Sequence, residues 1–415
     1  MFQEMAVWLR IVLSFAVALV IAYFMTPPVK SFAQKIGAMD VPKDERRVHN
    51  HPIPRMGGIA IFVGFVISLL LFVSFTSQVI GLLLGSLIIA VMGALDDIVS
   101  LKPWSKLAGQ IVAALVAVRC GIIFTAVSNP NFMSDISTIP IGGISIPLTI
   151  LWIVGCTNAV NLIDGLDGLA AGVSAISSMT MLIVSLFVSD LNTTFILAAL
   201  CGGCIGFLPY NKNPAKIFMG DVGSQFLGFV LACVSIMGLF KMHTVITFIV
   251  PLLAMFIPLM DTVAAFFRRI IHRQSPFHAD RGHIHHRLLA MGLNQKQTVA
   301  LLYGVSAVMG LVAVLFTGRS AVERAICIVA AFVISLGVWM YVFWKNPHLR
   351  HPETMAQTEE SAAQGAAAQD FSGIEAADIA SIQNIVSGKI VPESEESAEN
   401  TSTCEPHNTP ADAKK

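Results

Sequence analysis

From residue 6 to residue 344 the sequence returns repeatedly to apolar runs of about twenty residues, the length of helix that crosses the hydrocarbon core of a bilayer. Eleven such segments are read, near 6–26, 57–76, 79–95, 106–126, 147–163, 168–188, 192–209, 223–240, 244–267, 299–316 and 322–344. The balance of residues agrees. Only 13% of the chain is charged and its mean hydropathy is +0.73, whereas a soluble enzyme carries roughly 25% charged residues. The fold class expected is therefore an all-α polytopic membrane protein of about eleven transmembrane helices. The first segment reads as a span and not as a cleaved leader, because Glu4 precedes Arg10, no basic region opens the chain, and further spans follow.

An odd number of spans puts the two termini on opposite sides. Lysine and arginine then choose the orientation: sixteen fall in one set of loops and five in the other set and nearby span ends. The positive-inside rule puts the N-terminus outside and the C-terminus in the cytoplasm. Between the fourth and fifth spans, apolar residues flank Gly142-Gly143 and predict a small external β-hairpin. Residues 346–415 are rich in Ala, Glu, Ser and Gln with few aromatics, so a disordered cytoplasmic tail follows a transmembrane domain of residues 1–345. Formal net charge is zero, which leaves no global field to attract nucleic acid. Cys201-Gly-Gly-Cys204 lies inside an apolar run and reads as helix packing, and Gly81–Gly85 and Gly202–Gly206 are spaced for close helix approach.

The polar clusters all fall in loops on the side assigned to the cytoplasm. The stretch Thr157–Gly172, TNAVNLIDGLDGLAAG, carries Asn158, Asn161, Asp164 and Asp167. On a regular helix the last three would share an arc of ~120°. Gly165 and Gly168 instead suggest a break where backbone approaches something bound. Carboxylates between apolar segments are costly unless paired, hydrated or holding a cation. Asp96 and Asp97 are adjacent acids at a helix end, with Lys102 and Lys106 close behind to supply positive charge or bind phosphate. Asp221, between Gly220 and Gly223, stands at the start of a span, where two readings balance: an ordinary cap, or an acid holding the metal of an anion at the helix start. The loop PFHADRGHIHHRL brings His278, His283, His285 and His286 together with Arg281 and Arg287, donors better suited to a diphosphate than to zinc. Upstream, Asp261 is expected to pair with Arg268, seven residues on. The first cytoplasmic loop ends in Pro54-Arg55-Met56-Gly57-Gly58, and its proline-rigid ending before two glycines is not explained by charge bias alone. Acids for a hard cation, bases for phosphates and a membrane boundary point to phosphoryl transfer from a cytoplasmic donor to a lipid-borne acceptor. A transporter also has many spans and buried acids, but its site usually lies near the midplane between repeated halves. A scaffold would leave the acids unexplained.

GALDDIVSL, NAVNLIDGLDGLAAG, NPAKIFMGDVGS and HADRGHIHHRLL, in this order, resemble the polyprenyl-phosphate N-acetylhexosamine-1-phosphate transferases, the MraY/WecA/TagO family, over roughly residues 5–345. The resemblance implies transfer of a sugar 1-phosphate from a UDP-sugar to undecaprenyl phosphate, releasing UMP, with Mg²⁺ or Mn²⁺. It implies metal-associated roles for Asn161 and Asp221, catalytic roles for Asp96, Asp97, Asp164 and Asp167, and substrate contacts at Lys106, Asn211, Arg281, His283, His285 and His286. The interrupted run HIHH favours the WecA/TagO branch, hence UDP-N-acetylglucosamine, with UDP-N-acetylgalactosamine as the competing donor and a teichoic acid or similar envelope glycopolymer as the product's use. The expected partners are the UDP-sugar, undecaprenyl phosphate, lipid of the plasma membrane and a second copy of the chain.

Overall fold

The computed structural model of the chain describes residues 2–41, 52–128, 138–188, 191–239, 246–271 and 283–317, with isolated positions between 326 and 334. These belong to a unit spanning Met1–Asn346; the expected tail, in Pro347–Lys415, lies outside the described residues.

The long first helix, α1 (Phe2–Lys35), spans roughly 50 Å at 1.5 Å per residue, more than a bilayer core. It accommodates Pro27 and Pro28 while Thr26 bonds back to the Ala22 carbonyl at 2.6 Å. A two-residue ladder, β1 (Met39–Asp40) with β2 (Ile53–Pro54), leads into α2 (Gly58–Phe72). Next come α3 (Ser77–Val99) and α4 (Pro103–Arg119). Thr76 caps α3, accepting from the Val79 N–H, and Pro103 opens α4, where a missing N–H costs nothing. The antiparallel pair β3 (Ala126–Ser128) and β4 (Thr138–Pro140) precedes α5 (Ser145–Leu162). Then follow α6 (Leu169–Val188), α7 (Leu191–Asn211) and α8 (Gly220–Val234), the last continued by a π-helical turn over Ser235–Leu239. The chain proceeds through α9 (Ile246–Ala254), α10 (Phe256–Ile271), the short α11 (Ile284–Ala290) and α12 (Gln295–Thr317).

The molecule is an all-α polytopic membrane protein. Among the described residues, seven helical segments are long and apolar enough to cross a bilayer: those of α1, α3, α5, α6, α7, α8 and α12. Each expected span up to residue 316 falls on helix, but not always as one span. The ninth divides into α9 and α10, because the Pro258 ring is incompatible with the carbonyl four residues back, that of Ala254, where α9 ends. The eleventh lies almost wholly outside the described residues. The small two-stranded sheet is present, but Gly142-Gly143 does not form its turn: those glycines follow β4 in a 3₁₀ turn, Gly142–Ile144.

Helix α8 is the axis of the bundle. Beyond Gln225 it is apolar all round, and nearly every residue is buried, with α2, α3, α5 and α6 packed against it. Small residues let the neighbours close in. A Cβ on Gly202 or Gly206 would strike the α1 carbonyls of Phe15 and Leu19, so this glycine pair serves the close packing its spacing predicts. Cys201 and Cys204 are both buried on the same helix, free thiols within the packing. The outer surface stays apolar, with Trp8, Leu9, Phe24, Leu71, Leu151 and Phe267 exposed, as a helix bundle in lipid requires.

Candidate active site

The C-terminal ends of α3 and α5 meet the N-terminal ends of α2, α4 and α8, and the conspicuous acids sit at those ends. Gly220 opens α8 at φ +74, and a Cβ there would run into the Asp97 carboxylate. That carboxylate caps α8 from another helix. The backbone N–H groups of Asp221 and Val222 donate to its two oxygens at 3.0 and 3.2 Å, and the side chain is wholly buried. An anion at a helix N-terminus satisfies free donors and the positive end of the dipole together. Asp97, expected as a catalytic acid, is therefore joined by both oxygens to the element that carries Asp221.

Asp221 and Asp96 share one cation. The Lys106 ammonium lies 2.5 Å from Asp96 Oδ2 and 2.8 Å from Asp221 Oδ2, while Asp96 Oδ1 accepts from the Leu101 N–H at 2.7 Å. Gln225, one turn along α8, donates to the same Asp221 oxygen at 2.9 Å. Arg55 is the second cation. Its Nε is 3.5 Å from Asp97 Oδ1 and its Nη2 is 3.8 Å from Asp221 Oδ1, with about a third of the side chain exposed.

The sequence reading left Arg55 among ordinary positive-inside charges. The signal was the Pro-Arg-Met-Gly-Gly ending. Met56 takes φ +77, Gly57 and Gly58 donate to the Phe218 and Met219 carbonyls at 2.9 and 2.8 Å, and a Cβ on Gly58 would collide with the Gly223 backbone. The segment is thus pressed onto the start of α8, which brings Arg55 to the acids.

The central stretch breaks where its glycines suggest. Helix α5 ends at Leu162, residues 163–168 form turns with Gly168 at φ +78, and α6 begins at Leu169. Among the described residues the Asn161 and Asp164 side chains have no hydrogen-bond partner, so both remain open to a ligand. Burial, with the charges of Asp221, Asp97 and Asp167 against that of Arg55, pushes the Asp164 carboxyl up to about 7. Asp167 is engaged elsewhere: its Oδ2 accepts from Asn213 Nδ2 at 2.9 Å and from the Ala215 N–H at 3.0 Å. It pins the loop after α7, and Asn213 reaches on to Gln295 at the head of α12. Asn211 is buried and donates to the Ile217 carbonyl at 3.1 Å, with its Oδ1 unpaired among the described residues.

The histidine segment docks onto this turn. Both Asp261 oxygens are taken by the start of α11, one by His283 Nδ1 at 2.9 Å and one by the Ile284 N–H at 2.8 Å; Arg268 was the partner expected. His283 and His285 stack at 5.9 Å, and the His286 ring lies 4.4 Å from that of His285. A Cβ on Gly165 would stand 2.5 Å from His285 Nε2, which gives the glycine of the central turn its reason. Burial, chiefly, with His286 beside it, lowers His285 to about 4, so the ring is neutral at physiological pH. Arg281 and His278 lie outside the described residues.

The assembled group holds five carboxylates, Asp96, Asp97, Asp164, Asp167 and Asp221, with Arg55 and Lys106. Burial first, and then the neighbouring carboxylates, account for the raised Asp164. Among the described residues no three His, Cys, Asp or Glu side chains form a ready cage for a metal.

The sequence model of glycosyl transferase family 4 matches residues 79–239, a stretch holding Asp96, Asp97, Asp164, Asp167, Asp221 and Lys106. A Bacillus subtilis (strain 168) protein named "Probable undecaprenyl-phosphate N-acetylglucosaminyl 1-phosphate transferase" is 40% identical over 307 residues, 74% of this chain and 85% of that protein. The decaprenyl-phosphate N-acetylglucosaminephosphotransferase of Mycolicibacterium smegmatis is 35% identical over 353 residues, covering 77% of this chain and 86% of the relative. More distant in coverage is the phospho-N-acetylmuramoyl-pentapeptide-transferase of Heliobacterium modesticaldum, 36% identical over 251 residues, 57% of this chain and 75% of the relative.

Proposed function

The chain belongs to glycosyl transferase family 4, the polyprenyl-phosphate sugar-phosphate transferases, and on that premise we propose that it moves N-acetylglucosamine 1-phosphate from UDP-GlcNAc to undecaprenyl phosphate. The products are undecaprenyl-diphosphate-GlcNAc and UMP, the first lipid intermediate of an envelope glycopolymer. The observation that carries this reading is the convergence of Asp96, Asp97, Asp164 and Asp221 with Arg55 and Lys106 at helix ends of an apolar bundle. A lipid phosphate held in the bilayer and a soluble nucleotide meet only at such a boundary. The excess of lysine and arginine in the loops at that end supports the cytoplasmic side of the plasma membrane, with the N-terminus outside.

In the reaction an oxygen of the lipid phosphate attacks the sugar-bearing phosphorus of the donor. The bond between that phosphorus and the bridging oxygen breaks, and the oxygen leaves with UMP. The acceptor's second pKa is roughly 6, so it is largely dianionic at neutral pH and proton removal contributes less than alignment and charge compensation. Lys106 and Arg55 supply two positive charges, and the His283, His285 and His286 segment closes over the central turn on the donor side. Asp221 and Asn161 would hold Mg²⁺, or Mn²⁺ in its place, with Asp164 adding negative charge nearby. When bound, the ion neutralises charge on the donor diphosphate and on departing UMP.

The test is a radiolabelled UDP-GlcNAc assay on detergent-purified protein with undecaprenyl phosphate, with and without chelator. Label passing to the lipid with equimolar UMP, only when divalent cation is present, is the expected result. Turnover of UDP-MurNAc-pentapeptide without turnover of UDP-GlcNAc would overturn the donor, and UMP release with label trapped on protein in the absence of lipid would overturn direct attack.

A further inference from the structure

Beside the acids lies a chain of three amides, two of them buried, that the reaction scheme does not use. Gln110 on α4 and Gln225 on α8 are 2% and 1% exposed, and Asn158 on α5 is half-buried beside them. Asn158 Nδ2 donates to the Val154 carbonyl at 2.8 Å and to Gln110 Oε1 at 2.7 Å. Gln110 Nε2 donates to Gln225 Oε1 at 3.0 Å and to Asn158 Oδ1 at 3.3 Å. Gln225 Nε2 donates to Asp221 Oδ2 at 2.9 Å.

The direction of this chain is set at its ends. An ionised carboxylate only accepts, so Gln225 must turn its nitrogen to Asp221 and its oxygen to Gln110. Gln110 then presents nitrogen to Gln225 and oxygen to Asn158, whose nitrogen is anchored on a helix carbonyl that also only accepts. No member can flip without setting like against like inside an apolar bundle, where an unmet polar group is costly. The spacing contributes as well: Lys106 and Gln110 share one face of α4, and Asp221 and Gln225 share one face of α8, each pair one turn apart. Asp221 Oδ2 consequently takes two donors, Lys106 at 2.8 Å and Gln225 at 2.9 Å, while Oδ1 meets Arg55 Nη2 at 3.8 Å and the Asp96 carboxyl is hydrogen-bonded to the same side chain.

We propose that Gln225, Gln110 and Asn158 form a positioning relay that ties down Asp221 Oδ2 and leaves Oδ1 as the oxygen that takes a divalent cation. The relay rests on the metal role given to Asp221 above. Gln225 acts on Asp221 directly, and Gln110 and Asn158 act through Gln225.

The experiment measures Mn²⁺ binding to the full-length, detergent-purified protein by electron paramagnetic resonance, beside kcat and KM for UDP-GlcNAc and the thermal midpoint. Gln225→Leu should weaken Mn²⁺ binding about tenfold or more, the effect of losing one hydrogen bond to a charged group. Gln110→Leu should weaken it a few-fold, and the double variant should be no worse than Gln225→Leu, because one residue works through the other. Gln110→Met keeps the length of the side chain but has no N–H to give Gln225 and adds no charge, so it should lose Mn²⁺ affinity even if the leucine variants fail to fold. Unchanged Mn²⁺ affinity in the folded variants, or losses that multiply in the double, would overturn the relay; a lowered thermal midpoint with unchanged Mn²⁺ affinity would do the same. Asp221→Ala separates the two ideas. If it binds Mn²⁺ normally, the metal role itself fails and the relay with it; if it loses Mn²⁺ while Gln225→Leu and Gln110→Met do not, only the relay fails.

Discussion

Replacing Gly165 by alanine tests whether the central turn and the histidine segment are one site. The added Cβ would lie 2.5 Å from His285 Nε2, 3.0 Å from Cε1 and 3.3 Å from Cδ2. Ordinary carbon contacts begin near 3.5 Å, so the ring must retreat by about 1 Å. It has little room to do so. The ring is 2% exposed and stacked on His283, which Asp261 holds at 2.9 Å. Gly165 does not occupy the left-handed region, unlike Gly168, so the cost is contact and not backbone strain. Overpacking of this kind costs about 1–3 kcal/mol. The assay is the thermal midpoint of detergent-purified protein at one scan rate, with transferase activity measured in parallel. Gly165→Ala should lower the midpoint by a few degrees, since a loss of 1 kcal/mol shifts domains of 150–250 residues by roughly 2–4 °C and longer chains by less. Combining it with His285→Ala should recover at least about 1 kcal/mol relative to the sum of the single losses. Additive losses, or a Gly165→Ala protein as stable and active as the parent, would refute the docking of α11 on the turn.

Asp97→Ala strips the α8 N–H groups of Asp221 and Val222 of their acceptor and should cost about 1–3 kcal/mol, whereas Asp97→Asn keeps one acceptor and should fall between; equal activity losses, with the acid limb of the pH profile gone from both, would make Asp97 a base instead of a clamp. The pH dependence of stability in chelator should show two opposed slopes. Asp164, raised to about 7, gives the folded protein a proton the unfolded chain lacks from roughly pH 4 to 7, so its part of the stability falls as pH rises through that window. His285, lowered to about 4, leaves the unfolded chain with the extra proton from roughly pH 4 to 6.5, so its part rises with pH and is fully present above 6.5. Relative to the parent, the Asp164→Asn midpoint should therefore rise with pH between roughly 4 and 7, and a difference that does not change across that window counts against the raised carboxyl of Asp164. Gly143 is exposed and an added Cβ there meets nothing within 4 Å, so Gly143→Cys should react with an impermeant thiol reagent from outside intact cells; labelling only after lysis would invert the topology.

The bundle was legible in the sequence because bilayer thickness and backbone satisfaction leave an apolar twenty-residue run one choice, and length and composition state that choice directly. The break after Asn161 was legible for a similar local reason, two glycines and two acids between apolar segments. The division of the ninth segment at Met255 was written in Pro258, but an apolar run of the right length concealed it. The roles of the acids were not local. Asp97 and Asp221 are both acids at helix ends in the sequence, and both lie near Arg55, yet one spends its oxygens capping α8 while the other pairs with Lys106. Asp261 was matched to Arg268 by helical spacing, and the fold supplied His283, twenty-two residues away. Helical periodicity reports which residues share a face of one helix, whereas partners across helices depend on which ends the packing brings together. Here the packing against α8 decides that, through close approaches such as Gly58 on Gly223, and it turns Arg55 and Gln225 from unremarkable polar residues into neighbours of one carboxylate, with Gln110 bonded behind Gln225.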